Sequence, residues 1–374
     1  MKVNYISNIS LNEVSGGWSG MNYHVCKELQ RHFDVNILDP INPAFSLRSK
    51  LASKALRVLG LRGKFPAFTK ERLVQIAREI RHNVERNPAD IIFYHGSTSW
   101  IGYQNNTPYA MYLDACFATY INVYHNPNHF SKKQLAAVME SEIRFLGNAS
   151  TVFFSSQWAL EDTRKRYAMN GVNFVNAGLG GSISENGLDN SKNEELFFLF
   201  VGLDFIGKGG EILVRAFNNL RLRLPGYQLK IVGQSPPPEF LKMPGIQYVG
   251  FLNKNIPSER SLLEQLFRTA IAFVLPTSKD MTPLVIVEAA SAGCPVISVR
   301  NFGIPEMIVH METGILIEPG IEMEVSLEKA MELIVADKEL RQKMRRQTKA
   351  YITDHFDWNR TGEIISRRLI ELKA

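Results

Sequence analysis

Short apolar runs alternate with helix-length amphipathic segments along most of this chain of 374 residues. Uninterrupted apolar runs of four to eight residues are typical of strands that are buried on both faces of a parallel sheet. Parallel strands need helical crossovers, so the intervening segments, notably Lys132–Phe145 and Gln157–Ala168, are predicted to be helices. The first-half strands are predicted at Lys2–Asn8, Val35–Asp39, Ile91–His95, Tyr109–Asp114 and Thr151–Ser155.

Residues 178–194 interrupt the alternation, because Gly, Ser, Asn and acidic residues dominate there, as is typical of a linker. The alternation restarts at Leu196 and ends in a helical segment that begins at Trp358. This pattern predicts two doubly wound α/β domains, at 1–185 and 196–355, with a linker at 186–195 and a terminal segment at 356–374. Ligands of such folds bind at the carboxyl ends of the strands, so a cleft between the two domains is the expected site.

Composition excludes several classes of protein. The hydrophobic fraction of 45% and the charged fraction of 21% exclude wholesale disorder. Runs of about 18 apolar residues are absent, which excludes a membrane-spanning helix, and Met1–Ser10 lacks the apolar core of a signal peptide. The three cysteines, Cys26, Cys116 and Cys294, lie far apart. Their spacing argues against a disulfide framework or a zinc cluster and favours a reducing cytoplasm.

The excess positive charge belongs to the first half of the chain. Residues 1–185 contain 20 basic and 14 acidic side chains, whereas the remainder contains 23 of each, so the net charge of +6 arises before the linker. Eight basic residues lie within 46–72, where apolar residues recur at near-helical spacing. This segment is either a basic amphipathic helix on an anionic membrane or an ordinary solvated surface helix. A nucleic-acid partner is not indicated, since no recognition motif accompanies the charge.

Three motifs carry the chemistry. Gly16 and Gly17 follow the first strand, where glycines either let backbone N–H groups approach a phosphate or simply form a tight turn. Lys208 precedes two glycines at the start of a helix. This arrangement either binds a diphosphate or is simply a surface lysine beside a helix N-terminus. Asp280 precedes a helix that contains Glu288, so these two carboxylates can bind two groups of hydroxyls. A buried Glu288 needs a partner, which could also be a structural arginine.

The order of these motifs resembles the retaining glycosyltransferases of family 4, which have the GT-B fold. The resemblance is specific over about 196–320 and rests on three stretches. The first is Val-Gly-x5-Lys-Gly, which begins at Val201. The second runs from Asp280 through Glu288-Ala289 to Pro295-Val296-Ile297, and the third is Gly303-Ile304-Pro305-Glu306. It implies two Rossmann-like domains that face each other across a cleft, with a C-terminal helix from Trp358 that crosses back to the N-terminal domain. It also implies a nucleotide-diphosphate sugar as donor, without a metal or other cofactor; no Asp-x-Asp motif occurs.

The resemblance assigns a role to each matching position. Lys208 would meet the diphosphate, Glu288 the ribose hydroxyls and Asp280 the hydroxyls of the donor sugar. Gly250 and Phe251 would lie against the base, and Gly16 and Gly17 would close over the diphosphate. The helix N-terminus would be presented to phosphate and sugar by Thr282, Pro283, Leu284 and Val285.

Three positions depart from the family pattern. Leu203 stands where the family usually has an arginine beside the lysine, so the phosphates lose one cation, for which Arg300 or Lys279 could compensate. Asp280 stands in place of the usual glutamate. Asp114 ends the strand that in many members carries a histidine, and a carboxylate there can accept a hydroxyl hydrogen bond or act as a base. Lys208, Asp114 and Asp280 are therefore the predicted catalytic residues.

The sequence thus predicts a retaining hexosyltransferase that moves a sugar to a glycan or lipid-linked acceptor in cell-envelope or exopolysaccharide synthesis. It would work in the cytoplasm, at the inner face of the membrane if 46–72 binds there. His95, at the end of a strand, is the best histidine for the acceptor side. Because of Leu203 and Asp114, a non-catalytic sugar-nucleotide-binding or scaffold subunit is the alternative, and a nucleotide-sugar epimerase is a third hypothesis.

Overall fold

The computed structural model of the chain describes residues 1–11, 18–45, 51, 55–56, 61–104, 106–181 and 195–372. The chain forms two compact units. The first comprises Met1–Glu13, Met21–Gly178 and Trp358–Ala374, and the second comprises Val14–Gly20 and Leu179–Asp357. The predicted linker, except for residue 195, and most of the basic segment before residue 61 lie outside the described residues.

The first unit is built on a parallel sheet with the strand order β2-β1-β3-β4-β5-β6. Its strands are β1 (Lys2–Ile6), β2 (Asp34–Ile37), β3 (Ile91–His95), β4 (Tyr109–Leu113), β5 (Thr151–Phe154) and β6 (Phe174–Asn176). Its helices before the second unit are α1 (Trp18–His32), α2 (Lys70–Arg86), α3 (Phe117–Tyr124), α4 (Lys132–Gly147) and α5 (Gln157–Tyr167). The sequence analysis missed β6, a three-residue edge strand that is only partly buried and therefore lacks an apolar run.

Successive side chains along each strand point to opposite faces of this sheet, so each face has its own packing layer. On one face, the ring of Tyr5 in β1 stacks on Phe93 in β3 with a centroid distance of 5.9 Å, and Phe93 stacks on Phe153 in β5 at 6.1 Å, across the intervening β4. The opposite face belongs to a buried cluster that includes residues of α2 and α4, such as Ile76 and Val138. The central strands β1, β3, β4 and β5 are buried on both faces, which explains why they appear in the sequence as apolar runs.

A helix from the far end of the chain completes the first unit. α13 (Trp358–Glu371) follows the second unit in sequence, yet its residues belong to the first. The Trp358 ring stacks on His24 of α1 with a centroid distance of 5.0 Å. Gly362 lies so close to α1 that an added Cβ would stand 2.8 Å from the Cβ of Glu28. The predicted return of the terminal helix to the N-terminal domain is therefore confirmed.

The second unit is built on a parallel sheet with the strand order β12-β11-β10-β7-β8-β9. Its strands are β7 (Phe197–Gly202), β8 (Gln228–Gly233), β9 (Ile246–Gly250), β10 (Ala272–Leu275), β11 (Val296–Val299) and β12 (Gly314–Ile317). Its helices are α6 (Gly210–Arg223), α7 (Pro238–Leu241), α8 (Pro257–Thr269), α9 (Leu284–Ser291), α10 (Ile304–Met307), α11 (Met323–Ala336) and α12 (Lys338–His355).

Strand order places a topological switch point in each sheet. In the second unit the order reverses between β7 and β10, and in the first it reverses between β1 and β3. Open α/β sheets bind their ligands beside the switch point, at the carboxyl ends of the strands. The doubly wound α/β class that the sequence predicts is confirmed for both units.

Candidate functional site

Two predicted donor-binding loops follow the strands that flank the switch point of the second unit. The loop at 203–209 follows β7, and the loop at 276–283 follows β10, which pairs directly with β7. The carboxyl ends of parallel neighbours meet at one edge of the sheet, so this topology brings Lys208 and Asp280 together although 72 residues separate them.

The loop after β7 is closed by its own hydrogen bonds and by two glycines. The amide of Lys208 donates to the carbonyl of Asp204 (2.9 Å), and the amide of Gly207 donates to the Asp204 carboxylate (2.9 Å). Gly209 has a φ of 80°, and a Cβ there would lie 2.1 Å from the carbonyl oxygen of Pro276. Only glycine fits such a left-handed position in close contact with backbone, so the Lys-Gly-Gly sequence lets the two loops touch.

Lys208 and Asp280 form an ion pair in which the lysine Nζ donates to Oδ2. Both side chains are largely buried, with 23% and 17% of their surfaces exposed. A cation and a carboxylate at the switch point provide one group for a phosphate and one for a sugar hydroxyl. Each can exchange its present partner for a ligand that offers the same charge or hydrogen bond.

The helix α9 begins at this edge of the sheet. Pro283 precedes its first residue, Leu284, and both residues are buried together with Thr282, whereas Val285 is partly exposed. The first N–H groups of a helix have no intrahelical partner and carry partial positive charge, which suits an anion. In the loop before the helix, the amide of Lys279 donates to Thr277 Oγ1 at 3.2 Å.

Glu288 is fully buried in α9, and its partner is a lysine that the sequence analysis did not identify. Lys254 Nζ donates to Glu288 Oε1, and the lysine side chain is only 13% exposed. Glu288 therefore pairs with a lysine from the loop after β9, and not with the structural arginine that the sequence left open as a partner. The signal in the sequence is weak: Lys254 stands four residues beyond the strand end at Gly250, in a pattern that many surface loops share.

The predicted base-contacting residues lie at the end of β9. Gly250 has a φ of 107°, and a Cβ there would meet no other atom within 4 Å, so the conformation rather than crowding requires glycine. Phe251 exposes 57% of its surface. An exposed aromatic ring at the carboxyl edge of a sheet can stack on a planar ligand.

The first unit places two predicted residues on neighbouring strands. His95 ends β3, is 1% exposed, and pairs in register with Tyr112 of β4, whose ring stacks on it at 6.4 Å. Asp114 follows β4 directly and is partly buried. Burial, and secondarily the nearby Asp114 carboxylate, raises the pKa of Tyr112 well above its ordinary value. The Tyr112 hydroxyl therefore stays protonated and donates to the carbonyl of Gly178 at 2.6 Å.

A buried carboxylate supports the turn after Asp114. Glu142 of α4 accepts hydrogen bonds from the Phe117 amide (2.7 Å), the Tyr167 hydroxyl (2.5 Å) and the Ser97 hydroxyl (2.5 Å). It thereby holds the start of α3, three residues beyond Asp114. The sequence analysis missed this residue because Glu142 lies in an otherwise ordinary amphipathic helix.

Other predicted site residues do not join these groups. Gly16 and Gly17 lie outside the described residues. Arg300, which could have compensated for Leu203, pairs instead with the exposed Glu318 at 2.7 Å. Lys279 and Leu203 are exposed, the latter with 60% of its surface. In the described part of the chain, no group of three His, Cys, Asp or Glu side chains could hold a metal ion.

A cavity of about 540 Å³ lies in the first unit between the beginnings of α2 and α4. Its apolar lining includes Phe68, Leu73, Ile101 and Val138. Its charged lining consists of three lysines, Lys64, Lys70 and Lys133, and one carboxylate, Glu71. Lys64 and Lys70 belong to the basic segment 46–72. Over the described residues, no helix is long and apolar enough to cross a bilayer.

Comparison with known proteins assigns the second unit to a family. Residues 187–351 match the family described as glycosyl transferases group 1. The sulfoquinovosyl transferase SQD2 of Arabidopsis thaliana is 27% identical over 179 residues, which cover 46% of this chain and 32% of that protein. The chain spans less than half the length of the curated relatives it matches. Residues 187–351 are thus similar to a glycosyltransferase domain of the group 1 type.

Solved structures establish the fold over the whole chain. A sucrose-phosphate synthase of Thermosynechococcus elongatus superposes with a TM-score of 0.71 at 18% identity, covering 99% of this chain and 98% of that one. HepE of Anabaena in complex with UDP superposes with a TM-score of 0.68 at 17% identity, covering 99% and 100%, and the same protein is also known with UDP-glucose. The predicted GT-B fold class is confirmed.

Proposed function

We propose that the protein is a retaining hexosyltransferase of glycosyltransferase family 4, which transfers a sugar from a nucleotide-diphosphate sugar. One observation carries the proposal: Lys208 pairs with Asp280 at the switch-point edge of a group 1 domain, and Glu288 lies in the helix that begins at the same edge. In addition, Glu288 Oε2 is buried and has no hydrogen-bond partner among the described residues. A buried acceptor without a partner is costly, and a ligand hydroxyl would satisfy it.

Each residue of this group has a task in donor binding. Lys208 would leave Asp280 for the diphosphate, where the N-terminus of α9, around Thr282 to Val285, adds partial positive charge. Asp280 would then accept hydrogen bonds from hydroxyls of the sugar. Glu288 would bind the ribose, and Gly250 and Phe251 would contact the base. The bound nucleotides of HepE, a protein with the same fold, are consistent with this assignment.

The proposed reaction is a front-face displacement. The bond between the anomeric carbon and the diphosphate oxygen breaks, and the acceptor oxygen bonds to that carbon on the same face. The acceptor proton passes to the departing phosphate oxygen, and Lys208 stabilises the negative charge that develops there. Asp114 would accept a hydrogen bond from the acceptor hydroxyl and hold it in place until its proton passes to the phosphate, and His95 would contribute to the acceptor side from the neighbouring strand. This chemistry needs no metal or other cofactor.

We further propose a glycan or lipid-linked acceptor from cell-envelope or exopolysaccharide synthesis, used at the inner face of the cytoplasmic membrane. The excess charge of the first half of the chain supports an anionic partner, and the cavity near Lys64, Lys70 and Lys133 combines apolar walls with cations. That combination suits a ligand with a hydrocarbon chain and an anionic group. Sedimentation with anionic vesicles at low salt tests the membrane part, which fails if the protein stays in the supernatant.

Thermal shifts with a panel of UDP-, GDP-, ADP- and dTDP-sugars test donor binding. A ligand at 100 times its dissociation constant should add about 2.7 kcal/mol to the free energy of unfolding. A single responding nucleotide identifies the donor for an acceptor search. If no nucleotide sugar stabilises the protein, the proposed activity is wrong.

One observation favours a second function, a non-catalytic sugar-nucleotide-binding or scaffold subunit. In the loop at 203–209, Leu203 presents an exposed apolar side chain where the family that the sequence resembles usually has an arginine. Loss of one well-placed contact to the transition state costs about 3–4 kcal/mol. This alternative predicts donor binding without hydrolysis or transfer, whereas the enzyme turns over its donor. Interconversion of free donor sugars without acceptor would instead indicate an epimerase.

A further inference from the structure

The pair formed by Lys254 and Glu288 joins two elements that are distant in sequence. Lys254 lies in the loop after β9, and Glu288 lies 34 residues later in α9. The glutamate has no exposed surface and the lysine has 13%, so water screens this ion pair far less than an exposed one. Removing one partner of such a pair leaves an uncompensated buried charge, which is strongly unfavourable.

The two carboxylate oxygens of Glu288 have different surroundings. Oε1 accepts a hydrogen bond from Lys254 Nζ, whereas Oε2 is buried and has no hydrogen-bond partner among the described residues. The lysine therefore holds the carboxylate by one oxygen and leaves the other available. An unsatisfied buried acceptor on a fixed carboxylate is a binding site for a hydroxyl donor.

The loop that carries Lys254 is itself held in place. The amide of Asn253 donates to Glu259 Oε2 at 2.5 Å, and the amide of Asn255 donates to Asn253 Oδ1 at 2.9 Å. Glu259 lies in the first turn of α8, where a carboxylate is favourable. Hydrogen bonds on both sides of Lys254 thus fix its backbone, so the side chain starts from a defined position.

We propose that Lys254 is a positioning residue for donor binding, which holds Glu288 so that its second oxygen accepts a ribose hydroxyl. Lys254 thereby makes the site selective for ribonucleotides over deoxyribonucleotides. The inference rests on the proposed function, because it takes the ligand to be a nucleoside diphosphate. It adds Lys254 to the residues of the proposed donor site. It also adds a specificity for the ribose of the nucleotide rather than for its base.

The test compares the affinity of the full chain for UDP, ADP and GDP with that for their 2′-deoxy and 3′-deoxy analogues, by calorimetry. Wild-type protein should prefer the ribonucleotide over at least one analogue by about tenfold or more, as expected for a hydrogen bond to a charged group. Lys254→Met should bind the ribonucleotide about tenfold more weakly and discriminate by less than about twofold. Lys254→Arg, which keeps the cation, should retain the preference.

The preference is a ratio within one protein sample, so a smaller folded fraction does not change it. If Lys254→Met fails to fold, Lys254→Gln is measured in the same way. Lys242→Met, which removes an exposed lysine of the same unit, should behave as wild type. Undiminished discrimination in Lys254→Met or Lys254→Gln, or no discrimination by the wild type, overturns the inference while donor binding stands. Failure of the wild type to bind any nucleotide overturns the proposed function as well.

Discussion

The two units share a doubly wound parallel sheet but differ in what lies at its carboxyl edge. In the second unit the edge carries charged side chains in pairs, Lys208 with Asp280 and Lys254 with Glu288. In the first unit it carries His95 and Asp114 beside the buried ring of Tyr112. The family match covers 187–351, within the part of the chain that holds the paired charges, whereas structural similarity covers 99% of the chain. Sequence similarity to a family is therefore recognised in the unit that holds the paired charges, whereas the first unit resembles the solved structures in fold alone.

The largest effect expected on the second unit comes from Gly209→Ala. Its left-handed backbone and the 2.1 Å approach of a Cβ to the Pro276 carbonyl oxygen would force the two donor loops apart. We expect a loss of about 2–4 kcal/mol in the free energy of unfolding and no detectable donor binding. Urea denaturation and calorimetry measure these changes. Gly226→Ala is the control, since a Cβ there meets nothing within 4 Å; equal behaviour of both variants would contradict the loop argument.

Glu288→Ala separates the donor site from the rest of the second unit. It removes the proposed ribose acceptor and leaves Lys254 without its partner. We expect donor affinity to fall by about a hundredfold, as for a buried charged hydrogen bond that is broken. Calorimetric titration of the variant measures the change, with Glu239→Ala, in the short helix α7, as a surface control. Unchanged affinity would show that Glu288 has no role in binding the ribose.

Asp114→Asn tests whether the first unit contributes to chemistry rather than to donor binding. The neutral amide is a weaker hydrogen-bond acceptor than the carboxylate, so transfer should fall by about tenfold to a hundredfold, with donor affinity unchanged. Turnover and calorimetry on the same preparation provide the two values. The exposed Asp34 offers a control, and Asp34→Asn should be fully active. Full activity of Asp114→Asn would remove this carboxylate from the catalytic set.

Alkaline pH should weaken the sheet of the first unit. Burial raises the pKa of Tyr5, Tyr94 and Tyr112 well above the ordinary value, and raises the pKa of Tyr109 to about 12. Because these folded-state pKa values exceed those of the unfolded chain, their contribution to stability is complete below about pH 10 and is lost as the pH rises above it. Denaturation at pH 8 to 11.5 measures the decline. A free energy of unfolding that is constant up to pH 11.5 would contradict the burial of these hydroxyls.

The smallest effect is expected from Arg300→Gln. Arg300 forms an exposed ion pair with Glu318, and such pairs contribute about 0–1 kcal/mol. Donor affinity should match that of the wild type within about twofold, since the guanidinium is already engaged away from Lys208 and Glu288. The same calorimetric titration detects a difference. A tenfold loss would instead make Arg300 the substitute for the cation absent at Leu203.

The sequence predicted the alternation of strands and helices along the chain and the motifs that follow the strands, because buried parallel strands and glycine-rich loops leave local patterns. The bounds of β3 were predicted to the residue, and Asp280 and Glu288 were placed correctly in a loop and in a helix. Lys254 and Glu142 escaped notice, since their importance depends on tertiary neighbours rather than on spacing. The short strand β6 was missed for a similar reason: pairing with β5, not an apolar pattern, defines it.

The return of α13 also bears on how the chain reaches its native state. Trp358 and Gly362 contact α1, yet they are synthesised after the whole second unit. During synthesis, the first unit therefore stays incomplete until α13 has been made. Until then, the surface of α1 that faces Trp358 is not covered by that helix. Domains generally fold in the order in which they emerge. In this protein, all described residues of the second unit leave the ribosome before α13 can complete the first unit.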